Sequence, residues 1–510
     1  MADGVRITVD EDVKPKGTST FAIIVCVFAS LGGLFAGYDQ GVVGGVIVMD
    51  GFLKDFCVGY KPGFTMGVCT SDTKDLPGDW TNFTTWYNMT YNVGCIFGAI
   101  IGGFIADKLG RRMTIFTAGT LFIIGVCGVC FNPSGKTTQV LIFRFIEGLG
   151  VGNSSFSLPL FGAEMAPKEL RGFLSGFMQM TVVTGIMLAN IVNQFVEHKR
   201  NGWRITYGIA MIAPAVVMLG IFFVPESPRW VYVHKSKDAA EVALKRLRQL
   251  DNVDEELEAI GVTVREEGQQ APWSALMEGS IAKRVGIAMF LQLLQQATGI
   301  NPMFSYGGLI FKDIAGDGIF SVFLLSAVNF VSTIPAMRWV DTTGRRKLLL
   351  IGAVGMVVGH LLAGILFTAE CSGNEDKVHC PSAWGYIIVA CSAFFTFNFA
   401  ISWGPVCWIY PAEIFPLNVR AKAVSLSTMA NWIMGAVMTF VVKLFPSLHI
   451  NGVLFLFAVT CTGCGTFVYF FCPETKGILL EDIDTIFNGG KAAAHDSTKY
   501  EEVATPNVEA

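Results

Sequence analysis

Charge is what this sequence is shortest of: only 15% of its 510 residues are Asp, Glu, Lys or Arg, and only six are histidine. So small a charged fraction, beside 52% hydrophobic residues and a mean hydropathy of +0.51, excludes a soluble protein of this length. The net charge of −4 is spread over the loops, which leaves no basic footprint for nucleic acid and no strongly acidic face. Met1–Thr20 is polar and mixed in charge and lacks the pattern of a cleaved leader, so insertion falls to the first apolar span. No nucleophile–base pair and no metal-ligand spacing stands out, which argues against an enzyme and against a metal or cofactor. What remains is an integral membrane protein.

A window of about 19 residues finds twelve apolar spans, beginning near Phe21, Thr84, Met113, Thr138, Gly172, Trp203, Val285, Ile319, Leu348, Ala383, Ala421 and Asn451. An even number puts both termini on one side. Lys108, Arg111 and Arg112 follow span 2, Lys168 and Arg171 span 4, Arg345, Arg346 and Lys347 span 8, and Arg420 and Lys422 span 10. The positive-inside bias makes those loops and both termini cytoplasmic; Lys199, Arg200 and Arg204 after span 5 pull weakly the other way. The one long hydrophilic stretch, residues 231–280, holds a capped helical sequence at Ser236–Leu250 and a second at Asp254–Ile260. The expected organisation is an N-terminal segment 1–20, a six-helix half 21–230, a cytoplasmic helical linker 231–280, a second half 281–477 and a disordered tail 478–510.

The halves repeat each other. Asp107-Lys-Leu-Gly-Arg-Arg112 recurs as Asp341-Thr-Thr-Gly-Arg-Arg346, Ala163-Glu164 to Arg171 recurs as Ala412-Glu413 to Arg420, and Pro225-Glu226-Ser recurs as Pro473-Glu474-Thr. The offsets, 234, 249 and 248 residues, describe a duplicated six-span unit. Within span 7, Val285–Phe311, the run Gln295-Gln296-Ala-Thr-Gly-Ile-Asn301-Pro302 breaks an apolar helix with amides, Gly and Pro. Such residues belong at a solute site, and amides that both donate and accept suit a neutral, hydroxyl-rich ligand. Asp39 in span 1 is too costly to leave alone in an apolar helix, and Arg144 in span 4 is its candidate partner. Glu147, one turn on, is a second buried acid without an assigned role.

Taken in order, the two D-x-x-G-R-R motifs, Pro225-Glu-Ser-Pro-Arg229-Trp230 and Pro473-Glu-Thr-Lys-Gly477 resemble the sugar porter family of the major facilitator superfamily, over about residues 21–477. The resemblance implies an all-α membrane protein of twelve transmembrane helices in two six-helix halves, with short cytoplasmic linker helices. It implies sugar contacts from Gln179, Gln295, Gln296, Asn301, Asn329, Trp408, Asn431 and Trp432. It also implies cytoplasmic ion pairs that close the inside. Glu164 with Arg171 and Glu413 with Arg420 are the expected pairs, joined by Asp107, Arg111, Arg112, Glu226, Arg229, Asp341, Arg345, Arg346 and Glu474. In proton-coupled members an acid and an arginine occupy the positions of Asp39 and Arg144, so the resemblance favours a proton/hexose symporter. Facilitated diffusion of the same sugar is the alternative, and a non-transporting sugar sensor a third reading. The expected partners are a monosaccharide, protons and the lipid bilayer, for a monomer in the plasma membrane.

Four of the thirteen cysteines, Cys57, Cys69, Cys371 and Cys380, fall in loops assigned outside, where three complete pairings are open. Cys57–Cys69 with Cys371–Cys380 is favoured, because a bridge between the loops would tie moving halves together. The long first loop, residues 50–83, would form a lid over the outer mouth, as in plant-type hexose symporters. His360 reads as a hydrogen-bonded packing residue, and Gly148-x-Gly150-x-Gly152 as a surface for close helix packing.

Overall fold

The structure is a computed structural model that describes residues 20–59, 63–72, 75–165, 171–266, 272–371, 380–476 and 487. Among these residues the regular elements are helices and no strand occurs. In chain order the long ones are α1 (Thr20–Val46), α2 (Gly78–Leu109), α3 (Arg111–Cys130), α4 (Thr137–Met165), α5 (Arg171–Val196) and α6, made of Gly202–Ala210 and Ile212–Gly220. The second series is α7, broken into Gly279–Ala297, Ile300–Ser305 and Gly307–Ala315, then α8 (Gly318–Thr343) and α9 (Arg345–Glu370). It ends with α10, made of Ser382–Ile401 and Trp403–Ile414, then α11 (Leu417–Met438) and α12 (Phe445–Phe471). Each begins up to six residues before its apolar window, because polar first turns such as Gly78-Asp79 carry the helix beyond the hydrophobic run. Ten are long and apolar enough to cross a membrane. The two outside that set are α4, which carries Arg144, Glu147 and Asn153, and α7, whose first piece stops after its glutamines.

Within the first series α4 packs on α2 and α3, and α1 on α5; within the second, α9 packs on α10 and α12. The two series meet where α2 lies on α11 and α5 on α8, two contacts that the internal repeat relates to each other. Small residues permit the closest of these approaches. A Cβ on Gly94 or Gly98 of α2 would come within 2.3 Å of the Phe145 or Leu149 carbonyl of α4, and Gly148 and Gly152 return the same closeness to Tyr91 and Cys95. The Gly148–Gly152 run is therefore a packing stripe.

Between α6 and α7 the linker is helical at Pro228–His234, Lys237–Arg248 and Asp254–Glu266. Ser236 caps the middle helix by accepting from the Ala239 N–H, and Trp230, Val231, Ala240, Leu244, Val253 and Leu257 bury a small core of their own. These three helices are tied to the first half: Arg248 grips Glu256 and donates to the Met165 carbonyl, and the Trp230 indole donates to the Asp107 carbonyl.

At the opposite end Cys57 is bridged to Cys69 and Cys371 to Cys380. The segment after α1 is anchored on its own half. Asp55 accepts from Arg204, the Trp203 indole and Ser134, and Phe52 and Phe56 pack with Phe83 and Trp203. From the other half Lys312 Nζ donates to the Thr70 carbonyl at 2.7 Å. A Cβ on Gly44 would strike the Phe304 carbonyl, so α1 and the broken part of α7 are in close contact at this end.

Candidate functional site

The break in α7 places the site. Gly299 turns the chain with φ of 93°, a left-handed conformation that a side chain resists. Pro302 then removes the N–H that would have bonded the Thr298 carbonyl four residues back. His360 of α9 supplies the missing donor, its Nε2 lying 3.1 Å from that oxygen, so this histidine serves the broken backbone. α10 repeats the device. Pro411 cannot donate to the Cys407 carbonyl, and Gln292 Nε2 does so instead at 2.8 Å.

From Gln292 the amides form a directed chain. Asn431 of α11 donates to Gln292 Oε1 at 2.6 Å and to Gln295 Oε1 at 2.7 Å, while its own Oδ1 accepts from Gln296 Nε2 at 2.6 Å. Asn301 then donates to Gln296 Oε1 at 2.5 Å, and Gln295 Nε2 donates to the Trp403 carbonyl. Four of the expected polar residues, Gln295, Gln296, Asn301 and Asn431, are thus one network joining α7, α10 and α11. Trp432, beside it, is buried with its indole N–H unpartnered, as is Asn329 Oδ1 on α8. Gln179 of α5 faces Gly404 across the interface, its Nε2 3.7 Å from where a Cβ would stand, and Trp408 is half-buried one turn on. Sequence reasoning missed Gln292, although positions three and four residues before Gln295 and Gln296 share their helix face. It also missed Asn92 of α2, which meets α11 at Gly435 close to Gln296.

A second buried site lies in the first half. Arg144 Nη1 donates to Asp39 Oδ1 at 2.9 Å and to Glu147 Oε2 at 2.8 Å, and both acids are fully buried. The Tyr87 and Tyr91 rings lie 4.7 and 4.5 Å from the guanidinium carbon, and Tyr87 shares a hydroxyl hydrogen bond with Tyr207. Tyr91 also meets the Trp432 ring edge-on at 6.2 Å. One aromatic ring therefore connects the charged site of the first half to the amide site of the second.

At the arginine-rich end the described ion pairs join the first arginine of each D-x-x-G-R-R motif to a glutamate of the other repeated motif. Glu164 binds Arg111 at 2.8 Å, and Glu413 binds Arg345 at 2.7 Å. The Arg171 side chain lies outside the described residues, and Arg420 bonds the Phe415 carbonyl. Asp341 pairs with Arg345 at 3.1 Å. Glu226 and Glu474 act on backbone: Glu226 accepts the N–H groups of Arg111 and Arg112, and Glu474 those of Arg345 and Arg346, capping α3 and α9. Gly110 and Gly344, with φ of 90° and 97°, leave room for these carboxylates. Arg112 donates to the Ile221 carbonyl just past the end of α6, and Arg346 to the Tyr469 carbonyl near the end of α12. Each of these described contacts lies within one half and clamps it internally.

Comparison with known proteins agrees with this architecture. The family profile described as "Sugar (and other) transporter" matches residues 25–487. The chain is 31% identical to sugar transport protein MST8 of Oryza sativa subsp. japonica, over 96% of this chain and 95% of that one. It is 31% identical to the low-affinity glucose transporter HXT3 of Saccharomyces cerevisiae, over 93% and 83% of the two chains. The proton:xylose symporter XylE, solved with 6-bromo-6-deoxy-D-glucose, superposes with a TM-score of 0.75 at 26% identity, over 92% of this chain and 99% of that one. The all-helical architecture, the duplicated motifs and the match over nearly the whole length lead to one statement: the chain belongs to the sugar transporter family of the major facilitator superfamily and is an integral membrane transporter.

Proposed function

We propose that this transporter moves a hexose by alternating access in symport with a proton, across the plasma membrane, as a monomer of twelve spans with both termini cytoplasmic. The observation that carries the reading is the directed amide chain of Gln292, Gln295, Gln296, Asn301 and Asn431, next to which the Trp432 indole N–H is buried without a partner. Fixed donors and acceptors beside an indole suit a ring with hydroxyls at its rim and an apolar face. Gln179, Gln295, Gln296, Asn301, Asn329, Trp408, Asn431 and Trp432 are its assigned contacts. The relatives named for sugar and glucose, and the structural neighbour named for a proton and xylose, support both halves of the reading.

The proton site is assigned to Asp39 and Arg144. Tyr91 gives it a physical path to the sugar, because a shift of Trp432 on binding moves the ring that flanks the guanidinium. The arginine–glutamate clusters at 111/164 and 345/413 keep each half rigid while the halves rock. In this conformation the disulfide-bearing end, taken as the outside, is shut by α1 against α7. Facilitated diffusion is the second reading, favoured if the fully buried Asp39–Arg144 pair is structural. Hexose uptake by purified protein in liposomes, with and without an inward proton gradient, decides between them. Accumulation above equilibrium that Asp39→Asn abolishes establishes symport; equilibration indifferent to the gradient in both proteins establishes facilitation.

A further inference from the structure

The Arg144 site carries one acid more than an ion pair needs. Asp39 and Glu147 each place one oxygen on the same guanidinium nitrogen, so their carboxyl groups are neighbours, and both side chains have zero exposure. Their other oxygens, Asp39 Oδ2 and Glu147 Oε1, are buried without a partner, and so is Arg144 Nε. The groups that face them are the Tyr87, Tyr91 and Cys95 side chains of α2, Cys130 of α3 and Tyr207 of α6. None of these carries positive charge. Among the described residues Arg144 is the only cation within ion-pair distance of either acid.

Charge balance then constrains the protonation. Arginine stays protonated in proteins, and two ionised carboxylates against one guanidinium leave an uncompensated negative charge in a dry site. Two acids at such close range do not both ionise; they share a proton. A proton on one of them also turns an unpartnered oxygen into a donor beside the neighbouring carboxylate, which answers the orphaned atoms.

We propose that Asp39 and Glu147 hold one proton between them in this conformation, so that Glu147 is a second proton-binding residue of the transporter. The proposal deepens the proton-coupled reading and rests on it for the use of that proton, though not for its presence. Arg144 bridges the pair, and any motion that parts Glu147 from Asp39 removes the repulsion that made them share.

Infrared difference spectroscopy of the reconstituted protein at neutral pH tests this. The wild type shows the C=O stretch of a protonated carboxyl at this site, read as the difference from each variant. Glu147→Gln loses it, and so does Asp39→Asn, because either remaining acid is then matched one to one by Arg144. A band that survives in Asp39→Asn places the proton on Glu147 alone and overturns the sharing. A wild type whose own spectrum after full exchange from H2O into D2O shows no downshifted carboxyl C=O band overturns the proposal outright, a reading that needs no variant. Uptake in liposomes separates the two readings. A gradient-insensitive wild type that keeps the band sinks symport and leaves the shared proton; a gradient-driven wild type without it does the reverse.

Discussion

Replacing Gln292 with Leu removes the residue on which the broken helices depend. Leucine fills similar space but donates nothing to the Cys407 carbonyl, whose helical partner position is taken by Pro411. An orphaned carbonyl in a dry core costs about 1–3 kcal/mol. Asn431 loses one acceptor but keeps Gln295 Oε1, which adds about 1 kcal/mol. Gln292→Leu is therefore expected to lower stability by roughly 2–4 kcal/mol and to weaken sugar binding about tenfold, as Asn431 is freed to turn. Thermal unfolding in detergent reads the first effect and a sugar titration the second. The decisive variant is Gln292→Leu with Pro411→Ala, which returns an N–H to the Cys407 carbonyl and should recover most of the stability but little of the affinity. Stability unchanged in the single variant, or unrecovered in the double one, refutes the argument.

Three other outcomes are expected. Gln295→Ala and Asn301→Ala each raise the apparent KM for sugar by about 10–100-fold, measured as exchange in liposomes; unaltered exchange removes them from the site. Gly344→Ala puts a Cβ at φ of 97° and 2.7 Å from Glu474 Oε2, so it costs about 1–3 kcal/mol and exposes the start of α9 to proteolysis, whereas Gly208→Ala, with open space around it, does not. Burial raises the Glu197 carboxyl above its ordinary value, against a lowering by His198 and with further raising from Asp317 and Asp50. Protonation is then easier in this closed arrangement than in one that exposes Glu197. Closure of the disulfide end gains as pH falls through the raised value and loses that gain as pH rises. Labelling of a cysteine placed beneath that end should decrease on acidification, and Glu197→Gln should flatten the dependence.

Much of the fold was legible because hydrophobic runs and duplicated motifs are local features, and all twelve span starts fell within six residues of the helices. The pairings were not legible, because they depend on where helix ends arrive in space. Arg111 at the start of α3 reaches Glu164 from 53 residues away in sequence. Glu226 and Glu474 looked like members of ion pairs, since carboxylates near arginines usually are; only the positive-φ glycines reveal that they approach backbone. Gly110 and Gly344 were in the motif from the outset, and a glycine fixed just before a helix that begins with two arginines could have suggested a carboxylate cap. The same holds for the site. Pro302 and Pro411 each announce a carbonyl with no helical donor, and each such carbonyl must find one elsewhere. His360 and Gln292 are those donors. A polar residue deep in an apolar helix is thus as readily explained by a proline on its neighbour as by a ligand, and Gln292, which serves Cys407 with one end and Asn431 with the other, is explained by both.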